Sequence, residues 1–243
     1  MTDNCAVTAL DAIFFDIDDT LFSTTVFAEK ARAAAVDAMV RAGLAAARDD
    51  ALRELGEVIA EFSSNYGGHF DKVLDRLGPE SFAGRNRAVI VAAGVVAYHA
   101  TKSELTAEKD VREVLQWLAT TRLIRGIVSA GITIKQAEKL VRLEILDFLS
   151  PEAIFFTDQV GFSKPNPKLY RRVCQRLKLS PQRCLYVGDN PTHDIDPCNR
   201  EGWATVRMRR SGRHLQEEGA TKATHDVRDF FELRAVLQRH YAP

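Results

Sequence analysis

Six side chains able to do chemistry fall at equivalent places in this 243-residue chain, each at or just past the end of a short apolar run. Asp16 and Asp18 follow Ala12–Phe15. Ser129, with Ala130 and Gly131 behind it, follows Ile124–Val128. Lys164 lies in the loop after Ile154–Thr157, and Asp189 and Asp194 follow Cys184–Val187. Ligands of open α/β sheets bind outside the carboxyl ends of the strands, so this spacing predicts one crevice lined by all six. Four carboxylates and one ammonium there sum to about −3, and like charges near 4 Å repel by about 4 kcal/mol at an effective dielectric of 20. Such a group must take up protons or bind a cation. Oxygen donors without His or Cys nearby favour a hard ion, and Mg2+ is the usual choice where phosphate is held too.

Each feature alone has an ordinary reading. An Asp-x-Asp after a strand is as often a solvated turn, and Gly188-Asp189 could be a tight turn with an Asx cap. Their arrival in order at the ends of four apolar runs is what points to chemistry. Those runs, with Ala204–Met208, lack polar alternation, as expected of strands covered on both faces of a parallel sheet. Between them lie helical patterns. Val111, Val114, Leu115 and Leu118 form one stripe, with Thr106 as its N-cap. Ile134, Ala137, Val141, Ile145 and Phe148 form another. Asn166-Pro167 opens a third helix, with Tyr170, Val173, Cys174 and Leu177 inward. A last helix, Asp229 to His240, carries Phe230, Leu233 and Leu237 on one stripe.

Residues 22–104 interrupt this rhythm with helical patterns and no convincing strand: Val26–Ala42, Ala51–Phe62, His69–Leu77 and Arg85–Leu105. That length far exceeds the usual dozen or so residues of a βαβ crossover. The expected fold is α/β, a Rossmann-like doubly wound parallel sheet with an inserted all-helical domain. Its boundaries read as 1–21 and 105–243 for the core and 22–104 for the insert. Gly94 inside the apolar run Ala88–Tyr98 predicts close helix packing there.

Composition narrows the function classes. The chain is 46% hydrophobic and 27% charged, which places it among globular proteins. Lys plus Arg and Asp plus Glu number 33 each, so no global field favours nucleic acid or an anionic membrane. The basic stretch Arg207 to His214, which includes Ser211, reads as a solvated loop. The longest apolar run is far short of the roughly 20 residues of a membrane span. Asp3, with no basic stretch before the first apolar residues, gives no sign of a signal peptide. Cys5, Cys174, Cys184 and Cys198 lack CxxC spacing and suit reduced thiols in a cytoplasmic protein.

The motifs together resemble the haloacid dehalogenase superfamily, specifically its Mg2+-dependent phosphatases with a helical cap (subfamily I). Ile13 to Leu21 is similar to the first motif, Ile127-Val128-Ser129 to the second, Gly161 to Pro167 to the third, and Val187 to Ile195 to the fourth. Tyr66 to Asp71 and Ala97-Tyr98-His99 resemble a mainly archaeal subgroup described as hydrolases or glyceraldehyde-3-phosphate phosphatases. The chain departs at Ala130, where the superfamily usually has Asn or Asp. A side-chain contact is lost there, while the backbone N–H groups of Ala130 and Gly131 could still face phosphate.

The resemblance implies roles. Asp16 would be the nucleophile and form an aspartyl-phosphate. Asp18 would be general acid, then general base. Asp16, the main-chain carbonyl of Asp18, Asp189 and Asp194 would hold Mg2+, and Ser129 and Lys164 the phosphoryl oxygens. Phe22-Ser23-Thr24-Thr25 would be the hinge of the cap. Tyr66, His69, Tyr98, His99 and Lys102 are candidate substrate contacts, set against the commoner reading of such residues as core or surface. The implied partner is a small phosphorylated metabolite, with no nucleic acid and no membrane. A phosphomutase, a dehalogenase or a non-catalytic phosphate-binding protein on the same fold remain alternatives. A dehalogenase would be expected to lack Asp18.

Overall fold

A computed structural model describes residues 8–63, 65–210 and 212–242, so Asp3, Cys5 and Ser211 lie outside the described residues. Six strands form one parallel sheet: β2 (Ala12–Phe15), β3 (Ile124–Ser129), β4 (Ile154–Phe156), β5 (Cys184–Gly188), β6 (Ala204–Met208) and β7 (His225–Val227). Their order is β4-β3-β2-β5-β6-β7. The order reverses at β2, where Phe15 lies opposite both Ile127 of β3 and Val187 of β5. That reversal opens a crevice at the carboxyl ends of β2 and β5. Two two-residue strands, β1 (Thr8–Ala9) and β8 (Tyr241–Ala242), pair separately.

The apolar strands are buried on both faces. Phe14 and Tyr186 pack with Leu169, Tyr170 and Val173 of α8 (Lys168–Leu177), with Cys198 of α9 (Asp196–Arg200) and with Trp203. On the opposite face the Phe15 ring stacks on Phe230 of α10 (Phe230–His240), 5.7 Å between centroids. Helix α5 (Lys109–Leu118) packs beside α10.

Several local expectations change. Helix α5 begins at Lys109 after Glu108, so Thr106 is not its cap. Helix α6 (Thr133–Arg142) ends before Glu144, whose φ of 52° takes the chain into the left-handed region. Its apolar stripe also faces the other way: Ile134 and Val141 are 74% and 62% exposed, while Gln136 and Leu140 are buried. Thr157 opens a single-turn helix, α7 (Thr157–Val160), and does not extend β4. The edge strand β7 escapes an apolar-run search because its sequence, His-Asp-Val, is mostly polar. Asn166 does cap α8, its Oδ1 accepting the Lys168 N–H at 3.0 Å.

The chain contacts divide it into two compact units, one comprising the described residues up to Thr25 and from Thr106 onward, the other Val26–Leu105. The second is helical: most of α1 (Thr24–Arg41), then α2 (Arg48–Phe62), α3 (His69–Leu77) and α4 (Arg87–Ala100). Val36, Met39, Leu55, Val58, Leu74 and Ile90 form its core. A Cβ on Gly94 would lie 2.9 Å from Met39 Cγ, so α4 can approach α1 only through a glycine. Among the described residues no helix is long and apolar enough to cross a membrane.

Candidate active site

The parallel sheet carries Asp16, Ser129 and Asp189 to one edge, because each ends or directly follows a strand running the same way. The Asp16 N–H continues the ladder to the Val187 carbonyl at 2.9 Å, which sets Asp16 beside Gly188 and Asp189. Asp194 returns to the same place through the turn of helix at Pro191–Ile195. Asn190 caps that turn by accepting the N–H groups of Thr192 and His193, and its own N–H donates to Asp194 Oδ2 at 3.1 Å. Gly188 is required there, since a Cβ would lie 2.4 Å from Asp194 Oδ2.

Carboxylate oxygens of Asp16, Asp189 and Asp194 lie within 4.8 Å of one another, and all three residues are buried. The Lys164 ammonium sits among them. It donates to Asp16 Oδ1 at 2.8 Å, to Asp194 Oδ1 at 2.7 Å and to Tyr186 Oη at 2.7 Å. An ammonium has three N–H donors, so these contacts use all of them. Burial pushes the Asp189 carboxyl up to about 9, reinforced by the negative charges of Asp194, Asp16 and Asp19 and only partly opposed by Lys164. Burial likewise pushes Asp16 up to about 6, against the pull of Lys164. Burial would lower Lys164, but Asp16 and Asp194 outweigh it and hold the ammonium above its ordinary range. An excess of buried carboxylate oxygens, two of the groups raised above the usual carboxylate range, is a donor set that fits a hard divalent cation.

Ser129, the last residue of β3, is 1% exposed, and its Oγ has no hydrogen-bond partner among the described residues. A buried hydroxyl left unpaired costs stability, and an anion accepting from it would remove that cost. Thr20 Oγ1 is in the same condition. Of the two backbone groups beyond Ser129, the Gly131 N–H is turned to Thr157 Oγ1 at 3.3 Å.

The Asp18 side chain stands apart from the trio. Its Oδ1 accepts from Thr24 Oγ1 at 2.6 Å and Lys139 Nζ at 2.5 Å, and its Oδ2 accepts from Gln136 Nε2 at 3.2 Å. Burial alone would raise this carboxyl. The Lys139 charge and the hydrogen bonds from Lys139, Thr24 and Gln136 together outweigh it and hold Asp18 below the usual carboxylate range. Gln136 Nε2 also donates to the Ala130 carbonyl at 2.7 Å. Sequence reasoning missed Gln136 and Lys139. They lie three apart on α6 and so share one face, but the apolar stripe at Ile134 and Val141 drew the inward face elsewhere. Tyr186 was missed too, although a tyrosine inside an apolar strand needs a partner for its hydroxyl.

The remaining candidates lie in the helical unit or in the residues just before it. Tyr66 stacks on Phe62 and meets His69 edge-on, and His69 Nε2 lies 2.8 Å from the Ser63 carbonyl. Tyr98 packs edge-on against Phe70 and His99. Lys102 follows the end of α4 in the turn Thr101–Glu104. Thr24 and Thr25 bind back to Asp18 and Asp19, with Thr25 Oγ1 2.8 Å from Asp19 Oδ2. The basic stretch is not the solvated loop expected. Arg207 is buried and donates to the His214 carbonyl at 2.8 Å, Arg209 pairs with Asp226, and Arg210 pairs with Asp110.

Residues 10–202 match the family model described as haloacid dehalogenase-like hydrolase. The chain is 39% identical over 224 residues to a glyceraldehyde 3-phosphate phosphatase of Methanopyrus kandleri, covering 91% of this chain and 92% of that protein. It is 36% identical over 233 residues to a glyceraldehyde 3-phosphate phosphatase of Pyrococcus furiosus, covering 95% and 94%. Among solved structures, the HAD phosphatase from Thermococcus onnurineus superposes with a TM-score of 0.66 over 96% of this chain and 99% of its own, at 23% identity.

Proposed function

The chain belongs to the haloacid dehalogenase-like hydrolase family, and from that premise we propose that it is a Mg2+-dependent phosphatase of small phosphate monoesters. The observation that carries the reading is the convergence of Asp16, Asp189 and Asp194 with Lys164 and the unpaired Ser129 hydroxyl at one sheet edge. Glyceraldehyde 3-phosphate is the first substrate to test, because relatives sharing more than a third of the sequence carry that name. Buried free thiols at Cys174, Cys184 and Cys198 suit a reducing cytoplasm.

In this reading Asp16 attacks phosphorus in line while the bond to the ester oxygen breaks, giving an aspartyl-phosphate. Lys164 holds Asp16 Oδ1 and fixes the rotamer, so Oδ2 is the attacking atom. Ser129 Oγ donates to a phosphoryl oxygen. Asp18 protonates the leaving alkoxide. It then takes a proton from the water that hydrolyses the acyl phosphate, and inorganic phosphate leaves with Asp16 restored. The resting site presents Asp18 as the base, since Lys139 favours its ionised form. Its proton for the first half therefore enters with the substrate as the phosphate monoanion. Mg2+, held by Asp16, Asp189, Asp194 and the Asp18 carbonyl, would offset repulsion between Asp16 and the phosphoryl oxygens. The Val26–Leu105 unit is assigned the cap role, with Tyr66, His69, Tyr98, His99 and Lys102 as its substrate-selecting candidates.

The test is phosphate release from a panel of triose, sugar, nucleotide and amino-acid phosphates, with Mg2+ and with a chelator. Release that needs the metal is expected. Silence across the panel, or release indifferent to chelation, overturns the reading. The intact Asp18 stands against a dehalogenase, whose halide leaving group needs no proton.

A further inference from the structure

We infer that Tyr186 is a positioning residue of this site, acting on the phosphoryl chemistry through Lys164 without touching substrate; the inference rests on the phosphatase reading. Tyr186 lies in the middle of β5, fully buried, with Phe14 opposite it on one neighbouring strand and Thr205 on the other. Its hydroxyl has one proton, and that proton goes to the Val128 carbonyl at 2.7 Å. Toward Lys164, also 2.7 Å away, the same oxygen can therefore only accept.

The consequence is geometric. The Lys164 side chain is 4% exposed and must reach two carboxylates on different segments, Asp16 after β2 and Asp194 after β5. Two acceptors leave an ammonium free to swing about the line joining them. A third acceptor fixes it. Tyr186 supplies that third point, and its ring is held by edge-on contacts at 5.5 Å from Tyr170 and 6.5 Å from Trp203. Because Val128 directly precedes Ser129, the phenol also ties the lysine's position to the strand end that presents the serine hydroxyl. One buried side chain thus links the groups from β2, β3 and β5 that would meet the phosphoryl group.

The experiment compares Tyr186→Phe, Lys164→Met and the double variant, with Tyr170→Phe as control. The control also removes a buried hydroxyl, one that donates to the His193 carbonyl and is not among the three acceptors of the Lys164 ammonium. Phosphate release from p-nitrophenyl phosphate and thermal melting are followed throughout. Tyr186→Phe keeps the ring and its packing. It is expected to lower kcat by about 10- to 100-fold, the range for losing a hydrogen bond to a charged group, with little change in KM. Tyr170→Phe is expected to leave kcat within about twofold, and in the Lys164→Met background Tyr186→Phe should cost nothing further. An equal loss in both backgrounds, or wild-type turnover by Tyr186→Phe, overturns the inference. A second readout is independent of catalysis: in a crystal structure of Tyr186→Phe, Lys164 Nζ should no longer bridge Asp16 and Asp194. A bridge unchanged in that structure defeats the positioning role even if the wild type proves to be no phosphatase. Conversely, a wild type inactive on every phosphate with a displaced lysine in the variant defeats only the phosphatase reading.

Discussion

The strand-end site and the helical unit treat polar groups in opposite ways. At the sheet edge, Asp16, Asp189, Asp194, Lys164 and Ser129 are buried and come from four segments of the chain, and the Lys164 donors are saturated. In the helical unit charged pairs such as Arg53 with Asp50 and Lys30 with Glu104 are largely exposed and add little to stability. Its aromatic candidates touch one another: Tyr66 with Phe62 and His69, Tyr98 with Phe70 and His99. Even α4 leaves Val89 and Val96 59% and 69% exposed. The lesson is a division of constraint. A buried charged cluster tolerates few changes, because each removal strands a partner in low dielectric. A solvated helix surface can change its residues at small cost and so can vary what it recognises.

The sharpest break of that comparison is Asp16→Asn, expected to reduce phosphate release by about 10^4-fold or more. The variant should keep its circular dichroism and part of its Mg2+-dependent rise in melting temperature. Turnover near wild type would remove the covalent scheme.

Metal and pH come next. Asp16 and Asp189 titrate near 6 and 9 in the fold, against 3.8 ordinarily. A carboxyl raised on folding contributes stability below its unfolded value and loses it as pH rises through the folded one. The metal-free protein should therefore weaken between about pH 4 and pH 9. Saturating Mg2+, which binds the deprotonated groups, should raise the melting temperature more at pH 8 than at pH 5 and release protons on binding. Equal shifts at both pH values, with no buffer dependence in titration calorimetry, would show that the trio does not hold the ion.

A smaller effect is expected from Lys139→Met. Removing its charge lets the Asp18 carboxyl rise, so the ionised form that the monoanionic substrate requires is lost at higher pH and the acidic limb of kcat/KM moves up. A limb that stays in place would free Lys139 from that role. The smallest change belongs to the helical unit. Val96→Ser should alter unfolding free energy by no more than about 0.5 kcal/mol, whereas Phe14→Ala in the sheet should cost about 3–5 kcal/mol. Denaturant melts of the two variants check the contrast, and a large loss at Val96 would mean that this face is less replaceable than its exposure says.

Much of the site is legible in the order of residues alone. Strand ends are local features: an apolar run predicts a covered strand, and the next residues must emerge at its carboxyl end. Spacing and parallel topology therefore suffice to assign Asp16, Ser129 and Asp189 to one edge. Thr106, by contrast, has the look of a cap and is not one, and the stripe of α6 points to Ile134 and Val141 where the fold buries Gln136 and Leu140. Those failures share a cause. Which face of a helix turns inward depends on what it packs against, and at α6 that neighbour is the charged Asp18.

The sequence by itself determined the alternation of strands and helices, the order of the acidic groups and the need for a counterion among them. These follow from residue types and from periodicities that act over a few positions. Only the tertiary structure decided that Lys164 spends all three donors on Asp16, Asp194 and Tyr186, that Asp18 turns to Lys139 and Gln136, and that Arg207 is buried. The first two of those choices join residues far apart in the chain, and the third rests on carbonyls seven and ten residues away that only the folded loop brings back to Arg207. Hydrogen-bond saturation and desolvation are settled by which groups meet in space, and one-dimensional spacing does not carry that information.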